Sequence, residues 1–141
     1  MKTIHRFMVL IFAAAIIPCA AKTAVTNGID LPLTAATTWL SVVDAGKYDK
    51  SYDAAAQYLK KAIKKDRWSE MLRGVRKPFG KTVSRSETSR VEKKSLPGAP
   101  DGQYIVFQFT TVFEQKLSAV ETVTVMNEKD GVWRVCGYFI R

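Results

Sequence analysis

The apolar residues of this chain change their period once. From Leu33 to Val75 they recur at steps of three and four, and from Lys81 onward they alternate. The first period is that of a helix with one buried face, the second that of a strand with one buried face. Helices first and strands afterwards give an α+β layout, with the helices covering one face of an antiparallel meander.

Three helices are expected. Leu33, Ala36, Trp39, Leu40 and Val43 share one helical face, and Gly46 stands where a C-terminal cap belongs. Ser51 reads as the N-cap of a second helix, with Asp53 in its first turn and Tyr52, Ala55, Ala56, Leu59 and Ile63 on its apolar face. A third carries Trp68, Met71, Leu72 and Val75 and closes at Pro78 and Gly80. Four strands follow. Lys81 to Lys94 is polar and reads as a solvent-exposed strand; Leu96 to Gly102 is a Pro/Gly loop. Tyr104 to Phe113 is the clearest strand, with Ile105, Phe107, Phe109 and Phe113 on one face. Ala119 to Asn127 and Val132 to Ile140 form a hairpin about Asp130-Gly131. A two-residue loop there sets Lys129 opposite Val132, Val125 opposite Cys136 and Val123 opposite Tyr138. The expected fold is three helices packed on a curved four-stranded antiparallel sheet.

The N-terminus has the order of a secretory signal: Lys2 and Arg6, an apolar run from Phe7 to Ile17, then Pro18-Cys19-Ala20-Ala21. Eleven apolar residues are too few to span a bilayer, which takes about 20. Pro18 is a poor residue to precede an acylated cysteine, so cleavage after Ala21 is expected rather than lipidation of Cys19. This divides the chain into a signal peptide (1–21), a flexible leader (22–30) and one α+β domain (31–141). The protein is expected to be exported, to the periplasm or beyond, with no transmembrane segment in residues 22–141.

Cleavage removes His5, the only histidine, and Cys19, leaving one cysteine, Cys136. A Ser-His-Asp triad, a Cys-His pair, a histidine-ligated metal and an intrachain disulfide are then all excluded. None of the eight serines has Lys three positions later, and the glycines form no phosphate loop. No cofactor or metal is implied. Two carboxylate pairs remain, Glu114 with Glu121 and Asp44 with Asp49, which could serve a glycosidase only if they faced each other across a cleft. Without readable aromatic platforms they read as solvated turn and strand residues. Cys136 reads as a small buried hydrophobe, and Trp39, Trp68 and Trp133 as core residues rather than a ligand cage.

Four blocks in order resemble the bacterial domain-of-unknown-function family numbered 4019. They are Trp39-Leu40 with Val43 to Tyr48, Arg76 to Gly80 with Ser84-Arg85, Leu96 to Tyr104, and Asp130 to Arg141. The resemblance implies a small exported protein and brings no assigned activity. The layout also resembles the nuclear-transport-factor-2-like, or cystatin-like, cone folds, which host enzymes, carriers and passive domains alike.

Charge is the remaining functional signal. Residues 22–141 carry 20 basic and 13 acidic side chains, and Lys60 to Lys94 alone holds 13 basic against 4 acidic. The expectation is a continuous basic surface with Lys64, Arg76 and Arg85 as contacts, Arg being suited to hold two oxygens of one anion. Anionic lipid head groups or envelope polymers fit such a surface; nucleic acid does not, given export and aromatic residues committed to the core. The reading is a non-enzymatic binding domain of the cell envelope. Its alternatives are a small-pocket enzyme using carboxylate, Tyr and Arg groups, and a structural domain that self-associates as a homodimer.

Overall fold

The computed structural model describes residues 28–141; the expected signal peptide and residues 22–27 of the leader lie outside the described residues. Helices α1 (Leu31–Asp44), α2 (Tyr48–Asp53), α3 (Gln57–Ala62) and α4 (Lys65–Arg76) precede a 3-10 turn, Lys77–Phe79, and strands β1 (Thr82–Lys93), β2 (Tyr104–Phe113), β3 (Lys116–Asn127) and β4 (Trp133–Ile140). The sheet is antiparallel throughout, in the order β1-β2-β3-β4. The α+β meander is therefore as the change of period required.

Asp30 caps α1 by accepting a hydrogen bond from Leu33 N–H at 3.2 Å, so the last residue of the expected leader belongs to the fold. The turn after α1 closes at Gly46, whose φ of 70° suits a residue without Cβ. The second expected helix is two helices. Ala55 and Ala56 are fully buried, and Ala56 is extended, giving its N–H to the Val135 carbonyl of β4 at 2.8 Å. Alanine favours helix, but this contact takes the donor that continuation of α2 would have used. Ser51 correspondingly is no N-cap. It lies buried inside α2, its carbonyl accepts from Trp39 Nε1 at 2.8 Å, and its hydroxyl accepts from Trp68 Nε1 at 3.0 Å. Both indoles thus satisfy their polar edge on one serine while their rings fill the core, with centroids 6.1 Å apart. Trp133 is only half-buried at its rim.

Ile105, Phe107, Phe109 and Phe113 are all buried as the alternation of β2 requires; the first three share the core with Val123, Val125 and Val135, whereas Phe113 packs on Phe79 and Arg76. The β3–β4 hairpin differs from the expected register near its turn. Glu128 N–H donates to Val132 C=O at 3.1 Å and Gly131 has φ 76°, so three residues, not two, form the loop. Val125 consequently faces Val135 instead of Cys136. A bulge at Cys136 then restores the shift, and Val123 does face Tyr138.

Phe107 has no exposed surface and stacks on Phe109 with centroids 6.0 Å apart. Phe107→Ala should lower the free energy of unfolding in urea by about 3–5 kcal/mol. A loss below about 1 kcal/mol would contradict this register.

Candidate functional site

Glu121 is the one acidic residue of the described chain with no solvent exposure. Strand alternation puts it inward, between Ala119 and Val123, on the face of β3 that the helices cover. A carboxylate there requires partners, and four elements supply them. Arg85 of β1 donates through Nε to Glu121 Oε2 at 2.6 Å, and Thr111 of β2 donates its hydroxyl to the same oxygen at 2.6 Å. Tyr138 of β4 donates to Oε1 at 2.6 Å, and Arg76 of α4 lies 3.6 Å from that oxygen.

Asp44, at the end of α1, closes the network from the other side. It receives Arg76 at 2.8 Å, both terminal nitrogens of Arg85 at 2.8 and 3.0 Å, and Thr82 at 2.9 Å. Two cations and two anions therefore balance in one cluster, closed off at Glu121 and open to solvent at Asp44, whose side chain is 23% exposed. The Arg76 guanidinium also stacks over the Phe113 ring at 4.8 Å.

The shifts follow from this packing. Burial alone would raise the Asp44 carboxyl, but the donors Arg85, Arg76 and Thr82 outweigh it and hold it below its ordinary value. Burial, with the adjoining Glu121 carboxylate, pushes the Tyr138 phenol well above its ordinary value, so it acts as a donor. Neither group is poised for proton transfer near neutrality. Asp44, Arg76, Arg85, Glu121 and Tyr138 line none of four surface clefts found among the described residues.

Two of the three residues expected to form a basic surface are thus inward-facing. Arg76 is 4% exposed and Arg85 14% by side chain, each committed to Asp44 and Glu121. Lys64 is exposed at the N-cap of α4, at the opposite end of that helix from Arg76. The continuous surface joining all three does not exist, because the strand and helix positions of the two arginines point them into the gap between sheet and helices. The candidate carboxylate pairs are regrouped as well. Asp44 shares its arginines with Glu121, whereas Asp49 accepts a hydrogen bond from Ser69 and Glu114 accepts from Lys81 N–H. The signal that could have found the network was Glu121 on a core-facing strand position.

The remaining charge faces outward. Arg67, Met71 and Val75 follow at steps of four, so they lie on one stripe of α4, with Lys64 at the N-cap before it, and all four are exposed. Lys61, just before it, is exposed too. Burial pushes the Cys136 thiol up to about 12, which leaves it protonated and unreactive at neutral pH. Among the described residues no cluster of three or more His, Cys, Asp or Glu could hold a metal, and no helix is long and apolar enough to cross a membrane.

Residues 35–138 match the family described as a protein of unknown function, DUF4019, and the chain belongs to that family. No curated protein and no solved structure matches it.

Glu121→Gln should destabilise the fold by about 3–5 kcal/mol, because it leaves two buried arginines sharing one carboxylate. The Asp44 carboxyl is more acidic folded than its ordinary 3.8. Its contribution is therefore complete above that value and is lost as pH falls through the lower folded value. Urea unfolding measured from pH 7 to pH 2 should show this acid loss, reduced in Asp44→Asn. An unchanged acid profile in Asp44→Asn would contradict the assignment.

Proposed function

We propose that this member of the DUF4019 family is an exported, non-enzymatic binding domain that docks on anionic lipid surfaces of the cell envelope. The observation that carries the reading is the exposed stripe of α4. From Lys64 at the N-cap, the charge runs through Arg67, which also pairs with Glu70 at 2.9 Å, into Met71, 42% exposed, and Val75, 36% exposed. Cations beside exposed apolar side chains on one helical stripe suit a lipid interface, where ammonium and guanidinium groups meet phosphates and the apolar groups enter the head-group boundary. An envelope polymer would use the cations but offers nothing to Met71 and Val75. The wider charge agrees. Between residues 45 and 81, apart from the buried Arg76, ten Lys and Arg stand against four Asp and Glu.

Enzyme chemistry fits less well. The one buried carboxylate is fully partnered and lines none of the four clefts. The order of helices followed by a bulged antiparallel meander supports a likeness to the nuclear-transport-factor-2-like or cystatin-like cone layout. That layout is compatible with a binding role and does not require catalysis.

Residues 22–141 should co-sediment with vesicles containing phosphatidylglycerol and not with neutral phosphatidylcholine vesicles. Binding should weaken steeply between 0.05 and 0.5 M salt, since exposed charges act over roughly 10 Å at 0.1 M. Lys61→Ser/Lys64→Ser/Arg67→Ser should lower binding about a hundredfold at low salt, at roughly 1 kcal/mol per cation near the surface. Equal binding to both vesicle types, or no loss in the variant, would overturn the reading.

A further inference from the structure

A second group of outward cations lies on the opposite flank of α4 from the lipid stripe. A cleft of about 230 Å³ between the α1–α2 turn and the last turns of α4 is lined by Gly46, Lys47, Tyr48, Asp49, Lys50 and Arg73. Lys47, Lys50 and Arg73 are exposed, and none has a carboxylate within 4.0 Å among the described residues. In this they differ from Lys65, Arg67, Arg76, Arg85, Arg90 and Arg134, each of which is paired. The sole carboxylate in the lining, Asp49, is tied to the Ser69 hydroxyl of α4.

We infer that this cleft is a binding site for a phosphate dianion, either inorganic phosphate or a terminal phosphomonoester. Three cations against one carboxylate leave a net charge of +2, which a dianion matches and a monovalent carboxylate does not. The planar fork of Arg73 can hold two oxygens of one phosphate, and the two lysines contribute point charges from the other wall.

The walls are fixed before any ligand arrives. Ala45 N–H donates to Ser41 C=O at 3.1 Å, Gly46 N–H to Val43 C=O at 2.9 Å and Lys47 N–H to Val42 C=O at 3.1 Å, and these bonds lock the turn that carries Lys47. Gly46 takes φ 70° there. Helices α2 and α4 are joined by the Trp68–Ser51 bond, the Ser69–Asp49 bond and the Lys65–Asp53 ion pair at 2.7 Å. The backbone spacing between Lys47, Lys50 and Arg73 is therefore set by the fold, and binding need order only their side chains. The site does not depend on membrane docking, because it rests on different residues and a different flank.

The test is titration of isotope-labelled residues 22–141 with inorganic phosphate, glycerol 3-phosphate and acetate at constant ionic strength, followed by amide and arginine NMR shifts. Both phosphates should give saturable shifts confined to Gly46–Lys50 and Arg73, and acetate should not. Shifts with glycerol 3-phosphate alone would assign the site to phosphomonoesters, and shifts with inorganic phosphate alone to the free ion. Arg73→Ser should weaken binding about tenfold, as expected for losing a charged hydrogen-bonding partner, whereas Lys61→Ser should leave it unchanged. No saturable shift, acetate shifts equal to those of phosphate, or the same loss in both variants would overturn the inference. Vesicle binding retained in Arg73→Ser would show that the lipid reading stands or falls separately.

Discussion

A carboxylate without solvent determines how this domain is joined. Glu121 can remain in the interior only because β1, β2, β4 and α4 each bring a cation or a hydroxyl to it. The dependence is clearest at β1. Its twelve residues bury no hydrophobe, and the only two not exposed are Thr82 and Arg85. Both bond to Asp44, and Arg85 also bonds to Glu121. This end of the sheet is therefore held against the helices by charge, where the middle is held by Phe107, Phe109 and the tryptophans. The two regions meet at Tyr138, whose ring packs 5.4 Å from Trp39 while its hydroxyl reaches Glu121.

This arrangement sets two groups of basic residues apart from the surface ion pairs. Arg76 and Arg85 are neutralised inside, so they contribute cohesion and nothing to an external field. Lys61, Lys64, Lys47, Lys50 and Arg73 are outside without carboxylate partners within 4.0 Å among the described residues, so their charge is available to a ligand. Arginine suits the inner role because its fork can serve two carboxylates at once, as Arg85 does between Asp44 and Glu121.

Much of the fold could be read from residue spacing, because burying one face of a helix or strand imposes a period. Phe107 and Phe109 on one side of β2, and the polar β1, follow from that rule alone. The break between α2 and α3 could not be read so. Ala54-Ala55-Ala56 is good helix sequence, and only the bond from Ala56 to Val135, nearly eighty residues away, interrupts it. The hairpin departs from the expected register for a local reason, since Asp130-Gly131 also suits a three-residue loop with Gly131 at positive φ. As for the site, a count of charges treats Arg76, Arg85 and Lys64 alike; which of them face solvent depends on where Glu121 and Asp44 fall in three dimensions. Glu121 was nonetheless visible as a charged residue at an inward strand position, and such a position demands a cation.

The claim that this charge network, rather than apolar burial, holds β1 against the helices, beyond its backbone ladder to β2, is tested most directly by a double-mutant cycle. Unfolding free energies would be measured in urea at pH 7 for Arg85→Gln, Glu121→Gln and the double variant. A coupling energy of about 2–3 kcal/mol is predicted, with the double variant little worse than either single one. Additive effects within about 0.5 kcal/mol would contradict the account.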